Sequence, residues 1–386
     1  MTAAVSSRVP FYRDVRVLKW IAQILVVVVV ALILIWLWGN YSENTADQNI
    51  PTNFDFLDNP ANFQITGNDL SSNAPVRDAL YEGLLNTLRV SIAGIIAATI
   101  LGTIIGIARL SKNWLISKLA TVYVEAVRNV PLALFLIAGL LVVVLGVFPT
   151  IQDAWNAGGW AIISNRGVAI PWFVGGSGLA LLLLLLAAAI VWIVVAKWRQ
   201  SVSDRTGATA NSARWGFAGF VLVFLVGWFA MGYSIDRPTL DGRQTDGGMR
   251  IDPSFFALFF ALVIYTASHI AEIVRGSIQA VDRGQGEAAD ALALSGGQKM
   301  WFIVLPQAFR IAIPPIGNQY LNLIKNSSLG AAIGYYDLTL VAQTTVGNGS
   351  PAVPVFTLTM ALYITLSLIT SFFVNIANRR MALVER

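Results

Sequence analysis

The chain has 386 residues, of which 56% are hydrophobic and only 12% charged, with a formal net charge of +5. A soluble domain carries roughly 25% charged residues to keep its surface wet, so a water-soluble enzyme is excluded and an integral membrane protein is expected. With no cysteine and a single histidine, His269, a disulfide scaffold, a thiolate metal site and a multi-histidine metal site are also excluded. The basic residues flank apolar segments instead of forming a patch, which excludes nucleic acid as a partner.

In chain order, runs long enough to cross a bilayer, about 20 residues each, occupy 20–38, 84–108, 121–147, 173–196, 215–235 and 254–274. Two less uniform runs follow at 308–330 and 354–377. The fold expected is therefore an all-α polytopic bundle of about eight transmembrane helices. Basic residues crowd the N-terminal flank (Arg8, Arg13, Arg16, Lys19) and every second connection after it. The alternate connections hold only Arg77, Arg166, Arg237, Arg243 and Arg250. The positive-inside rule then puts both termini in the cytoplasm.

The first run has a basic flank like a signal peptide, but it ends in Trp36 and Trp38 without a small-residue cleavage site. It reads as a retained anchor helix. The acidic segment 39–83 is external, and its Phe54, Phe56, Leu57, Phe63 and Ile65 either pack on the protein's own outer face or lie on headgroups. In the second run Gly94, Ala98, Gly102 and Gly106 put a small residue at every fourth position. Such a stripe lets another helix approach closely, within the chain or from a partner.

The connection between the sixth and seventh runs reads Glu287-Ala288-Ala289, then Ala293 after three residues, then Ile303-Val304-Leu305-Pro306 after nine more. This resembles the EAA-type loop of ABC importer permeases, with Ala293 where that family usually has glycine. The expectation is a short helix opened by Glu287, narrow enough to sink into a groove, ended by Gly296 and Gly297, with Pro306 setting the next span. Alanine at 293 keeps the residue small and raises helix propensity. By resemblance the groove belongs to an ATP-binding subunit, and Glu287, Ala288, Ala289, Ala293, Leu294, Ser295 and Gly296 form the ATPase-coupling element. Leu294-Ser295-Gly296-Gly297-Gln298 also spells the signature loop of ABC ATPases. No G-x-x-x-x-G-K-[ST] occurs in the chain, and a nucleotide-binding domain does not fit between two spans, so the match is read as coincidence.

The stretches Ala267–Gly276, Leu305–Arg310, Leu323–Leu329, Gly83–Leu88 and Tyr123–Leu132 resemble the core helices of polar-amino-acid permeases. Phe54-Asp55-Phe56-Leu57, with the insertion, resembles the long permeases of general L-amino-acid importers of Gram-negative bacteria. The organisation expected is an anchor helix and outer loop at 1–78, a first core part at 79–147, an insertion with two extra helices at 148–253, and a second core part at 254–386 that includes the coupling loop 284–306. The resemblance implies a type I ABC importer permease in a bacterial inner membrane. No cofactor is expected in this chain, ATP and Mg belonging to partner ATPases. It further implies a second, similar permease chain and a periplasmic amino-acid-binding protein.

Two acid–base pairs recur at i, i+3, Glu125 with Arg128 and Glu272 with Arg275. That spacing puts both members on one helix face, and they are read as structural ion pairs. His269, on the same face as Glu272, is expected to be a hydrogen-bonded packing residue. In the seventh run Asn318, Asn322, Lys325, Asn326, Ser327 and Ser328 make a polar segment that Pro314 and Pro315 interrupt. A lysine facing lipid near the bilayer centre costs about 2.5–3.5 kcal/mol. Lys325 therefore faces a substrate pathway, or snorkels to the outer headgroups. The rival function is a secondary amino-acid transporter driven by an ion gradient, which would need mid-span carboxylates that are nearly absent here.

Overall fold

The computed structural model describes residue 12 and residues 14–66, 70–207, 209, 211–242 and 244–381. Arg8, Arg13 and Arg243 of the charge pattern lie outside the described residues. Twelve α-helices are present among the described residues: α1 (Val15–Asp47), α2 (Val76–Ala108), α3 (Trp114–Arg128), α4 (Leu132–Ala138), α5 (Gly178–Thr206), α6 (Ser212–Ala230), α7 (Pro253–Gln279), α8 (Arg283–Ala291), α9 (Gly296–Lys299), α10 (Leu305–Asn326), α11 (Leu338–Gly347) and α12 (Ala352–Met381). Seven helical runs are long and apolar enough to cross a membrane, and an eighth is made by a bent pair.

That bent pair corrects the third expected span. Over 121–147 the chain is not one helix: α3 ends at Arg128, and the run from Leu132 to Val147 leaves at 100° to it. Pro131 causes the break, since it has no N–H to continue the ladder of α3 and it pushes Val130 out of the helical region. Pro131 then serves as the N-cap of α4, and α4 continues as a π-helix over Gly139–Val147. Conversely, Pro314 and Pro315 do not interrupt the seventh span, because α10 runs through both. They only deprive the carbonyls four residues earlier of their donors.

The core is built on α2 and α7, with α10 against them. The glycine stripe of α2 is filled from within the chain. An added Cβ at Gly102 would lie 2.7 Å from Ile270 Cβ, and one at Gly106 2.7 Å from the Ala271 carbonyl. Gly94 faces Leu323 of α10, and Gly83 faces Leu338 and Val341 of α11. Close backbone approach lets α7 bury Leu258, Leu262, Ile270 and Val274 almost completely. A second apolar cluster joins the outer loop to the core, where Phe56, Ile65 and Val76 meet Leu338 and Val341. Segment 39–83 therefore packs on the chain itself through Phe56, Leu57, Phe63 and Ile65, while Phe54 stays exposed.

The insertion holds the two expected helices, α5 and α6, which pair with each other: Gly216 lies under Trp192 and Gly227 under Leu184. It also holds eight short strands, unforeseen because none exceeds four residues. These are β1 (Trp155–Asn156), β2 (Ile162–Ser164), β3 (Gly167–Ile170), β4 (Trp172–Val174), β5 (Ser234–Asp236), β6 (Thr239–Asp241), β7 (Gln244–Asp246) and β8 (Met249–Ile251). The order β1-β2-β3-β8 forms an antiparallel sheet, while β4 pairs with β5 and β6 with β7. In register, Ala169 of β3 faces Arg250 of β8, so the β layer leads directly into the first turn of α7.

Candidate functional site

The connection between α7 and α10 is a helix–turn–helix whose geometry revises its sequence reading. Helix α8 opens four residues before Glu287, at Arg283, with the Asp282 side chain accepting from Gly284 N as its cap. It ends in a turn in which Leu294 N–H reaches the Ala289 carbonyl (3.1 Å) and Ala293 N–H the Asp290 carbonyl (3.0 Å). Those two bonds are the Schellman pattern, and it places Ala293 at φ +53°. Position 293 is thus the left-handed stop of the helix, where glycine is favoured because it has no Cβ to clash. Helix propensity is irrelevant there.

Gly296 and Gly297 do not end α8; they open α9. Ser295 caps α9, its hydroxyl accepting from Gln298 N, while Gln298 Oε1 accepts from Ser295 N at 2.9 Å. The run Leu294–Gln298 therefore spells a helix stop followed by a capping box, which gives the resemblance to an ATPase signature a purely local cause. Lys299 Nζ bonds Asp290 Oδ2 at 2.8 Å and ties α9 back onto α8. Ala289 is only 2% exposed, so it packs on the chain itself. The exposed surface sets Ala288, Ala291, Leu292 and Ala293, with Trp301 and Phe302 beyond, among the polar Arg283, Gln285, Glu287, Asp290, Ser295 and Gln298.

Behind this loop, Glu272 is gripped from two helices. Arg275 reaches it from the same helix and Arg109 from the end of α2; Arg275 also donates to Gln279 Oε1 at 2.7 Å. The sequence spacing revealed the Arg275 contact, but Arg109 lies 163 positions away and could be found only in three dimensions. The companion pair is not formed. Glu125 and Arg128 are both exposed and share no ion pair among the described residues, although both lie within α3. His269 packs on the Tyr265 ring at 4.8 Å, but its Nε2 is buried without a hydrogen-bond partner.

On α10, Asn318, Asn322 and Lys325 fall on one exposed stripe at i, i+4, i+7. Lys325 lines a cleft of about 510 Å³ with the hydroxyl residues Ser328, Thr339, Thr359, Tyr363 and Ser367 and the apolar Ile364 and Leu368. Asn326 is half-buried. Ser327 is fully buried and gives its hydroxyl to the Ile324 carbonyl at 2.7 Å, so it stands apart from this stripe as a packing residue. The floor of the region is a polar network that sequence reading missed. Tyr363 donates to Asp337 Oδ2 (3.0 Å), Leu340 N–H to Asp337 Oδ1 (2.9 Å), and Leu338 N–H to Thr87 Oγ1 (3.1 Å).

These features define a multi-span helical membrane protein with an exposed helix–turn–helix connection and a groove beside Lys325 on one core helix. The family model "Binding-protein-dependent transport system inner membrane component" matches residues 161–383, and the chain belongs to that family of transport permeases. It is similar from end to end to the general L-amino acid transport system permease protein AapQ of Rhizobium johnstonii, at 41% identity over 94% of this chain and 92% of that one. It is likewise similar to the putative amino-acid ABC transporter permease protein YhdX of Escherichia coli, at 39% identity over 97% of each chain. Similarity extends to the glutamate/glutamine/aspartate/asparagine transport system permease protein BztB of Rhodobacter capsulatus, at 35% identity over 97% of this chain and 96% of that one. A crystal structure of an amino acid ABC transporter with histidines aligns at 21% identity and a TM-score of 0.46, covering 79% of this chain and 94% of that one.

Proposed function

We propose that this chain is the membrane-spanning permease subunit of an ATP-driven L-amino-acid importer in a bacterial inner membrane, with the α7–α10 connection facing the cytoplasm. Its own residues do no bond chemistry. They offer a path and transmit movement, while ATP is hydrolysed on partner subunits and a periplasmic binding protein delivers substrate. A second, similar permease chain completes the pathway.

The observation that carries this reading is the α8–α9 unit. It is capped, closed by a Schellman turn and clamped by Lys299 to Asp290, so it is a rigid projection whose exposed surface mixes small and apolar residues with charged and polar ones. Glu272, held by Arg275 within α7 and by Arg109 of α2, joins the base of that projection to the two central helices. A push on α8 is thereby transmitted as a rigid-body tilt of α2 and α7. The groove around Lys325 supplies a cation for a substrate carboxylate, and Asn318, Asn322 and Ser328 supply amide and hydroxyl partners.

Uptake of labelled L-amino acid by proteoliposomes holding the whole complex, with and without internal ATP, tests the proposal. Accumulation should require internal ATP and the binding protein. Accumulation driven by an imposed proton or sodium gradient without ATP would instead establish a secondary transporter.

A further inference from the structure

Between the β layer and the core lies a second cavity, of about 500 Å³, separate from the Lys325 groove. Its wall includes Arg89 and Asn86 of α2, Asp252 at the start of α7, Trp172 of β4, and Tyr335 with Tyr336 from the linker before α11. We infer that this cavity binds a free L-α-amino acid as its zwitterion, carboxylate at Arg89 and ammonium at Asp252, as a holding site at the cap end of the pathway. The inference rests on the reading of the chain as an amino-acid permease and adds to it a site that the core motifs do not contain.

Three observations support this assignment. First, the packing of Gly102 on Ile270 and of Gly106 on Val274 sets α2 and α7 in a register that brings Arg89 level with the opening turn of α7. A cation and an anion from different helices are thereby fixed at the same depth. Second, both groups are anchored but not used up. Arg89 gives one terminal nitrogen to Glu82 (2.5 Å) and Asn86 (2.7 Å). Its Nε and other terminal nitrogen have no partner among the described residues, which leaves one edge of the planar fork for a bidentate carboxylate. Asp252 spends a single oxygen, Oδ1, on capping α7 through Ser254, and Oδ2 is unpartnered among the described residues. Third, the rest of the wall sets Trp172, Phe255, Tyr335, Met249 and Ile251 beside the polar Thr66 and Ser254 and a second cation, Arg250. A pocket of this size with a few convergent polar groups in a partly apolar wall suits a small ligand.

The absence of cysteine makes the test direct. Met249→Cys puts a unique thiol of this chain in the cavity wall, and its labelling by a charged methanethiosulfonate is followed in the intact complex in nanodiscs, without binding protein or ATP. L-Glutamine, whose side chain is neutral, should slow labelling. Neither 4-aminobutanamide, which lacks the carboxylate, nor glutaramate, which lacks the ammonium group, should do so at the same concentration. Arg89→Gln should weaken the protection about tenfold, the value of one charge-assisted bond pair. Asp252→Asn, which keeps a competent helix cap, should weaken it similarly. Equal labelling with and without L-glutamine, in a preparation that still takes it up with ATP, would overturn the holding site and leave the permease reading intact. Protection by substrate-free binding protein alone, with none by L-glutamine, would also overturn it and make the cavity a protein contact. Loss of ATP-driven uptake of any L-amino acid by the wild-type complex would remove the reading on which it rests.

Discussion

Ala293 shows how one dihedral angle can reverse the meaning of a substitution. At φ +53° its Cβ costs about 1–2 kcal/mol relative to glycine, so Ala293→Gly should make the α8 stop more favourable by roughly 1 kcal/mol. Slower hydrogen exchange across Leu292–Leu294, with coupled transport unchanged, is the expected outcome. Ala293→Trp should fail differently. The bulk stands on the exposed end of α8, where overpacking a fitted contact costs about 1–3 kcal/mol. ATPase subunits should co-purify less well, while the membrane helices stay folded. Retention of both partner and coupled uptake would show that α8 is not the docking element. Lys325 poses the other residue-scale question. It has no ion-pair partner among the described residues, and it lines a groove in which hydroxyl side chains stand beside the apolar Ile364 and Leu368. Lys325→Ala should lower the uptake rate more than about tenfold, since a lost charge-assisted bond is worth about 1.5–3 kcal/mol, without changing assembly. Unchanged kinetics would assign the side chain to the headgroup region.

Among the elements, α2 and α11 carry the clearest predictions. Gly102→Leu would drive a side chain into Ile270 and the Ala267 carbonyl, so α2 and α7 must separate. Detergent-solubilised complex should lose several degrees of thermal stability, and Ile92→Leu, on the exposed face of the same helix, should lose none. Helix α11 begins at Asp337, which is fully buried in the linker between spanning helices. Burial pushes its carboxyl up to about 6, against hydrogen bonds from Leu340 and Tyr363 that pull it down. A folded-state value above the unfolded one means that the neutral acid is the better-tolerated form. Stability from this group is therefore fully present below about pH 4 and lost as pH rises through about 6. Asp337→Asn keeps the cap and removes the charge. It should raise the melting temperature most at pH 8, by about half as much at pH 5 and little below about pH 4, and a loss throughout would show that the carboxylate itself is needed.

For the molecule as a whole, the membrane-spanning plan was legible because a run of about 20 apolar residues has few alternatives. Spacing pointed to the α8–α9 connection, since Glu287, Ala288, Ala289 and Pro306 fall within one short segment. Hydropathy cannot register what was missed. The 100° bend at Pro131 leaves the apolar run unbroken, the β layer is made of strands too short to show alternation, and Arg109 meets Glu272 from another helix. Side assignment is open to direct measurement. Single cysteines in this cysteine-free chain should react with an impermeant reagent from the periplasm at 39–66 and 236–252, and from the cytoplasm at 199–207 and 283–303. Labelling of 283–303 from the periplasm would invert the orientation and remove the docking assignment with it.

The distance in sequence between the two halves of the core sets a timetable for synthesis. Gly102 must find Ile270, about 170 residues later, and at a ribosomal pace of 5–20 residues per second that gap is roughly 10–30 seconds. Throughout that interval the narrow face of α2 lies in the bilayer without its mate while three further spans are inserted. Two of those spans, α5 and α6, close on each other through Gly216, Trp192, Gly227 and Leu184, and so do not compete for the vacant face. The inserted pair is thus a bystander that occupies the translocon without capturing the half-built core. A chain truncated just before α7 should leave α2 open to capture by any small-residue helix nearby, and this intermediate is the one membrane chaperones and proteases would be expected to recognise.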